Sequence, residues 1–132
     1  MSEMAVRDWA RTVPEILAAV GNDARKIDVD YSGDAESTHL TMFQIGGAPD
    51  RYLPIDDVVM LFNCWGRGRG AALDLARAVS NAVWKTREIQ MNDDFYLRGA
   101  EILSTVWQPD PTGQARYVVS ARFVVSERRA VS

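Results

Sequence analysis

DVVMLFNCWGRGRGAALDLARAVSNAVWKTR, running from Asp57 to Arg87, decides the fold. Its first nine residues place Val58, Met60, Phe62 and Cys64 on one face and Val59, Leu61 and Trp65 on the other. Apolar residues on both faces predict a central strand, or one whose outer face is covered by a partner. Gly66 to Gly70 predicts a flexible connection. From Ala71 to Arg87 the period changes to that of a helix. Ala72, Leu75, Ala76, Val79 and Val83 form a stripe, and Asp74, Arg77, Ser80, Asn81 and Lys85 face away. The small alanines would let this helix lie close to a sheet.

Upstream, Arg7 to Val20 reads as an amphipathic helix, with Trp9, Val13, Ile16, Leu17 and Val20 at three- and four-residue spacing. Pro14 is able to split it into a first turn and a helix starting near Thr12, with Thr12 as the cap. Gly21-Asn22 ends it, since both residues tolerate a left-handed backbone. Lys26 to Tyr31 alternates as a half-buried strand, with Ile27, Val29 and Tyr31 on one face. Ser32-Gly33-Asp34 is a turn. His39 to Ile45 is a second strand, carrying Leu40, Met42, Phe43 and Ile45, broken by Gly46-Gly47-Ala48-Pro49-Asp50.

Downstream, Phe95 to Trp107 and Gln114 to Glu127 form two long strands around the Gln108 to Gly113 loop. A 12-residue strand spans roughly 40 Å. A domain of this size has a radius of gyration of about 14 Å. The hairpin therefore bends strongly or projects, and a projecting ribbon exposes backbone groups that pair with a neighbour. The expected architecture is α+β: a mostly antiparallel sheet with two helices packed on one face and a long C-terminal β-hairpin.

The chain has 132 residues, 47% hydrophobic and 25% charged, the composition of one ordinary globular domain spanning residues 1–132. Such a chain buries roughly two-thirds of its unfolded surface and needs no metal or disulfide to fold. Cys64, the single cysteine, excludes an internal disulfide framework. Met1-Ser2-Glu3-Met4 lacks the basic start of a signal peptide, and no apolar run approaches the ~20 residues of a membrane helix. No membrane partner is expected. Net charge is −3 with a pI near 5.1, which argues against a surface built to grip nucleic acid. The charge is uneven. Gly21 to Asp57 holds eight acids and three bases, and Ala115 to Ser132 holds four arginines and one acid. That asymmetry suits a part that meets copies of itself or two different neighbours. The bland alternative is scatter on a solvated surface.

Few residues offer chemistry. Gly66-Arg67-Gly68-Arg69-Gly70 precedes a helix and could cradle phosphate, but the lysine and hydroxyl ending of a phosphate-binding loop is missing. The plain reading is a strand-to-helix turn with solvated arginines. Otherwise, nucleic-acid backbone or an acidic protein surface is the ligand for Arg67 and Arg69. Asp56-Asp57 and Asp93-Asp94 with Glu101 could hold magnesium in a nuclease, but adjacent strand residues face opposite ways. Asp57 would then be essential. His39 is the only histidine and reads as a surface or edge residue. Cys64 reads as an unreactive core thiol. Trp9, Trp65, Trp84 and Trp107 are core aromatics or anchors at subunit contacts, rather than base-stacking platforms. No catalytic set, cofactor motif or metal cage emerges. The residues point to a non-enzymatic, self-associating or adaptor domain.

Two stretches carry a resemblance. One is the Val58 to Gly66 strand, with its aromatic-glycine end and alanine-rich helix to Trp84. The other is Gln108-Pro109-Asp110-Pro111-Thr112-Gly113-Gln114-Ala115-Arg116-Tyr117 leading into the last strand. Together, over about Thr38 to Arg128, they resemble the tail-terminator proteins of long-tailed bacteriophages, within the minor capsid and tail-completion superfamily. The chain departs from that pattern at Pro14 and in the Gly66 to Gly70 arginines. The resemblance implies a virion component assembled in the host cytoplasm: a ring, usually a homohexamer, that caps the head-proximal end of the tail tube. It would bind the tail tube protein and the head-closure protein, while genomic DNA passes through its lumen without specific binding. It also implies no catalysis and no cofactor. Another neck or head-completion protein of the same superfamily is the related alternative. A small nucleic-acid-binding module using the Gly66 to Gly70 loop is the more distant one. The expected contact regions are the hairpin tip, Asp110, Pro111, Thr112 and Gly113, and the basic residues Arg122, Arg128 and Arg129.

Overall fold

A computed structural model describes residues 2–31, 33–34, 36–49, 55–86, 89–90 and 95–127. Six strands form one sheet in the order β1-β2-β3-β6-β5-β4. They are β1 (Ile27–Asp28), β2 (His39–Pro49), β3 (Ile55–Gly66), β4 (Ile89–Gln90), β5 (Phe95–Trp107) and β6 (Ala115–Glu127). Every pairing is antiparallel except β1 with β2, which is parallel. The helices are α1 (Ser2–Ala10), α2 (Pro14–Ala19) and α3 (Arg69–Lys85). The expected α+β class and antiparallel sheet stand. Among the described residues the α-helices number three rather than two, because Pro14 splits the first segment, and a single 3-10 turn follows at Ala24–Lys26.

The split has a clear cause. Pro14 lacks the N–H that a continuing helix needs, so it opens a new one at its first position. Thr12 does not cap α2. Its hydroxyl donates backwards to the Trp9 carbonyl at 2.6 Å, closing the end of α1, and Val13 occupies the cap position without a side-chain bond. Gly21 and Asn22 both take left-handed backbone, φ 75° and 60°, and end α2 as expected.

The core lies between the helices and one face of the sheet. Val58, Met60, Phe62 and Cys64 of β3 are buried beside Val119, Ala121 and Phe123 of β6 and Leu40 and Met42 of β2. Trp9 of α1 meets Phe123 edge-on at 5.7 Å, and Phe123 meets Phe62 at 5.9 Å. The alanine-rich stripe of α3 is buried as expected, with Ala78 and Ala82 added. The β3 strand is central, third in the order, and its two apolar faces are accounted for below.

Several expected boundaries move: α1 starts at Ser2 rather than Arg7, and α3 at Arg69 rather than Ala71. The strand read from Lys26 to Tyr31 stops at Asp28. The Asp28 carboxylate accepts from the guanidinium groups of Arg7 and Arg11 at 3.3 and 3.0 Å and from its neighbour Val29 N–H at 2.7 Å, which turns the chain away. The Gly46 to Pro49 segment is not a break. β2 bulges between Gln44 and Gly46 and runs on to Pro49, opposite Asp56. Beyond Thr41 no described strand pairs with the other side of β2, so a proline there forfeits no ladder bond. The C-terminal hairpin does not project. β6 is paired with β3 from Ala115 to Ser126 and with β5 on its other side. The bend that this demands is supplied by bulges in β5 at Leu97/Gly99 and Ile102/Ser104.

The Gly66 to Gly70 connection is close-packed at its start. A Cβ on Gly66 would lie 2.7 Å from the Gly68 carbonyl oxygen and closer still to the Ala72 nitrogen. Gly70, one residue into α3, faces open space. Gly66→Ala is expected to cost about 2 kcal/mol through forced movement of the helix start. Gly70→Ala should gain about 0.5 kcal/mol by restricting the unfolded chain. Denaturant midpoints measure both. An unshifted midpoint for Gly66→Ala contradicts this packing.

Candidate functional site

The described residues place two of the sequence candidates side by side. The hairpin loop and the Gly66 to Arg69 turn share a cleft of about 720 Å³, lined by Arg67, Arg69, Trp107, Thr112, Gly113 and Gln114 among others. The hairpin tip is ordered by its own sequence. Thr112 donates its N–H, at 3.0 Å, and its hydroxyl to the Asp110 carboxylate. Gly113 takes φ 92° and donates to the Asp110 carbonyl at 2.8 Å. The Thr112 hydroxyl, then its N–H, holds the Asp110 carboxyl below the usual range. Pro111 completes a stiff, solvent-facing turn.

The two loop arginines are both engaged. The Arg69 guanidinium lies 4.8 Å above the Trp107 ring, and its Nε donates to the Tyr117 hydroxyl at 3.2 Å. That braces the start of α3 against the β5–β6 hairpin. Arg67 reaches Asp34 at 3.4 Å across an exposed gap. On the opposite face of the sheet, Arg116 sits 4.9 Å over Trp65, Trp65 stacks on His39 at 5.9 Å, and His39 on Tyr31 at 4.3 Å. This row locks the same end of the sheet from the other side.

His39 is therefore not a surface or edge residue. It is 5% exposed, between Tyr31 and Trp65. Its Nδ1 donates to the Ser37 carbonyl at 2.7 Å, which fixes the proton on that nitrogen. Burial pushes its pKa below the ordinary 6.5, against the opposing pull of the Ser37 bond. Cys64 is fully buried, and burial pushes its thiol far up, so it is the inert core thiol expected from sequence.

Among the other candidates, Arg122 faces outward on β6 and pairs with Glu101 of β5 at 3.4 Å. Arg128, Arg129, Asp93 and Asp94, and the side chains of Asp56 and Asp57, lie outside the described residues. Among the described residues, no three metal-binding side chains cluster, and no helix is long and apolar enough to cross a membrane.

The larger feature is the sheet face away from the helices. Alternation sends Phe43, Val59, Leu61, Val106, Val118 and Val124 there; no described helix lies on that side, although Val118 is buried and Val59, Leu61 and Val124 are half-buried among their strand neighbours. Phe43, Ile45, Leu103 and Val106 are each 43 to 51% exposed. The second apolar face of β3 was the sequence signal for this surface. Phe43, Ile45, Leu103 and Val106 were missed as a set, because only the strand order places them on the two outer long strands. Trp84 stands 81% exposed on α3 and is an anchor candidate rather than core.

No described protein family matches the sequence, and no curated protein matches it. A solved chain in a structure of the virion of a native gene transfer agent particle shares the fold. It superimposes with a TM-score of 0.61 at 16% identity, over 95% of this chain and 96% of that one.

The His39 environment sets a pH response. Above about pH 6.5 both folded and unfolded chains hold a neutral imidazole. Below it the unfolded chain takes up a proton that the folded one refuses, so stability falls, and it levels off beneath the lowered folded pKa. His39→Gln should flatten that segment of the curve in denaturant titrations from pH 5 to 7.5. Parallel curves for the two proteins contradict the assignment.

Proposed function

We propose that this chain is a structural virion protein of a tailed, phage-like particle. Within that class it acts as the tail terminator, a ring at the head-proximal end of the tail tube. The observation that carries the reading is the end-to-end match to a chain of a gene transfer agent virion, with almost nothing left over in either chain. The uncovered apolar sheet face supports it, since a lone globular protein rarely keeps one.

The mechanism needs only surfaces. One face of the ring copies the contact that a tube subunit offers to the next. The opposite face does not, so addition stops. That second face receives the head-closure protein, and DNA passes through the centre. A net charge of −3 suits a channel that must release its DNA. The nucleic-acid module loses support at Arg69, which is spent on Trp107 and Tyr117, whereas Arg67 makes only an exposed contact with Asp34. The stiff turn at Asp110 to Gly113 and the outward Arg122, with Arg128 and Arg129 beyond, are the proposed contacts.

Purified protein added to polymerising tail tubes should halt growth and appear as a ring at one end in stained micrographs. Tubes that grow unchanged contradict the terminator role. Tubes of normal length that fail to join heads would instead assign the neck role within the same superfamily. Replacing Asp110 to Gly113 with a two-residue turn should abolish capping while leaving the fold intact. Normal capping by that variant removes the tip from the contact.

A further inference from the structure

Resting on the reading of a closed ring, we propose that neighbouring copies join by their sheet edges. The open stretch of β5 in one copy adds to the open stretch of β2 in the next, as an antiparallel pair. The sheet then continues from copy to copy around the ring.

Both edges are unfinished. β1 pairs with β2 only at Leu40 and Thr41, and β4 pairs with β5 only at Tyr96 and Leu97. Among the described residues no strand pairs with the outer side of β2 from Met42 to Pro49, or of β5 from Gly99 to Trp107. Natural proteins rarely leave such long edges unguarded. Among the described residues the guards are the bulges in both strands, Pro49 at the end of β2, and Glu3, whose carboxylate accepts the Gln44 N–H at 2.7 Å. Glu3 would have to swing away on joining.

Four observations select a second copy as the occupant. First, three successive antiparallel pairings separate β2 from β5, so the two run in opposite senses. Copies related by rotation about one axis therefore present β5 to β2 in antiparallel register. Such a head-to-tail contact builds rings, whereas β5 on β5 stops at two. Second, the two short strands sit at opposite ends of the sheet, β1 beside the Trp65 end and β4 beside the Ser126 end. A stagger of about two residues sets the open stretches face to face, with β1 of one copy and β4 of the other closing the ladder's ends. Tilted strands in a closed barrel are staggered in the same way.

Third, four of the five large exposed hydrophobic side chains described lie on these strands, Phe43 and Ile45 on β2, Leu103 and Val106 on β5. Fourth, the sequence runs that contain the two strands differ in the sign of their charge. Residues 21–49 hold five acids and two bases, and residues 95–132 hold five arginines and three acids. One such contact is small. An eight-residue edge is about 27 Å long and about 10 Å thick, roughly 270 Å² per partner, against about 800 Å² for a stable pair. Each copy in a closed ring makes the contact twice, so closure rather than dimerisation is favoured.

The test is mass in solution for the full chain and for Leu103→Lys/Val106→Lys, both already solvent-facing positions. Disulfide trapping of Gln44→Cys mixed with Thr105→Cys, which a two-residue stagger sets opposite each other on the same face, accompanies it, with Cys64 too buried to interfere. The expected result is a multimeric wild type, a double variant at the 14.7 kDa of one chain, and a disulfide in the mixture alone. A double variant that stays multimeric, or Thr105→Cys that links to itself, overturns the edge pairing and leaves the ring reading standing. A wild type that stays at one chain's mass overturns the ring reading itself.

Discussion

The edge-on contact of Trp9 with Phe123, continued to Phe62, is the point on which the structure turns. It fastens α1 to the two central strands and, with α2 and α3, closes one face of the sheet. Burying an aromatic of this size contributes roughly 3 kcal/mol or more. All three helices are spent on that one face. Among the described residues no further helix lies on the other, where Phe43 and Val106 stay exposed and Val59, Leu61 and Val124 half-buried. A fold that is complete on one side and incomplete on the other is suited to meeting a neighbour.

The end of the sheet near the hairpin loop is stiffened from both sides. Arg69 on Trp107 and Tyr117 ties helix to hairpin, and the Tyr31, His39, Trp65 and Arg116 row covers the opposite face. The loop at Asp110 to Gly113 is thus a rigid turn on a rigid base. Rigid presentation lowers the entropic cost of docking, which favours a structural contact over a flexible ligand clamp.

Much of this was legible in the sequence. β3, α3, β5 and β6 each carry enough repeats of period 2 or 3.6 to declare themselves, and Cys64 lay in the most apolar run. What escaped depends on partners distant in sequence. β1 ends at Asp28 because Arg7 and Arg11, about twenty residues earlier, reach its carboxylate. Pro49 stays in a strand because that strand turned out to lie near an edge. His39 is buried by Tyr31 and Trp65, from either side of it in the chain. The hairpin was expected to bend or project, and it bends, because β3 pairs with β6 along nearly its whole length. The open surface was half visible, in the second apolar face of β3. Its extent required the strand order, which no local pattern encodes.

A ring requires self-association, which the mass of the purified chain in solution reads by light scattering behind a sizing column. Closure of a ring of about six copies predicts a single species near 88 kDa, six times the 14.7 kDa chain, with no dimer populated on dilution. A species at 14.7 kDa across all concentrations contradicts it.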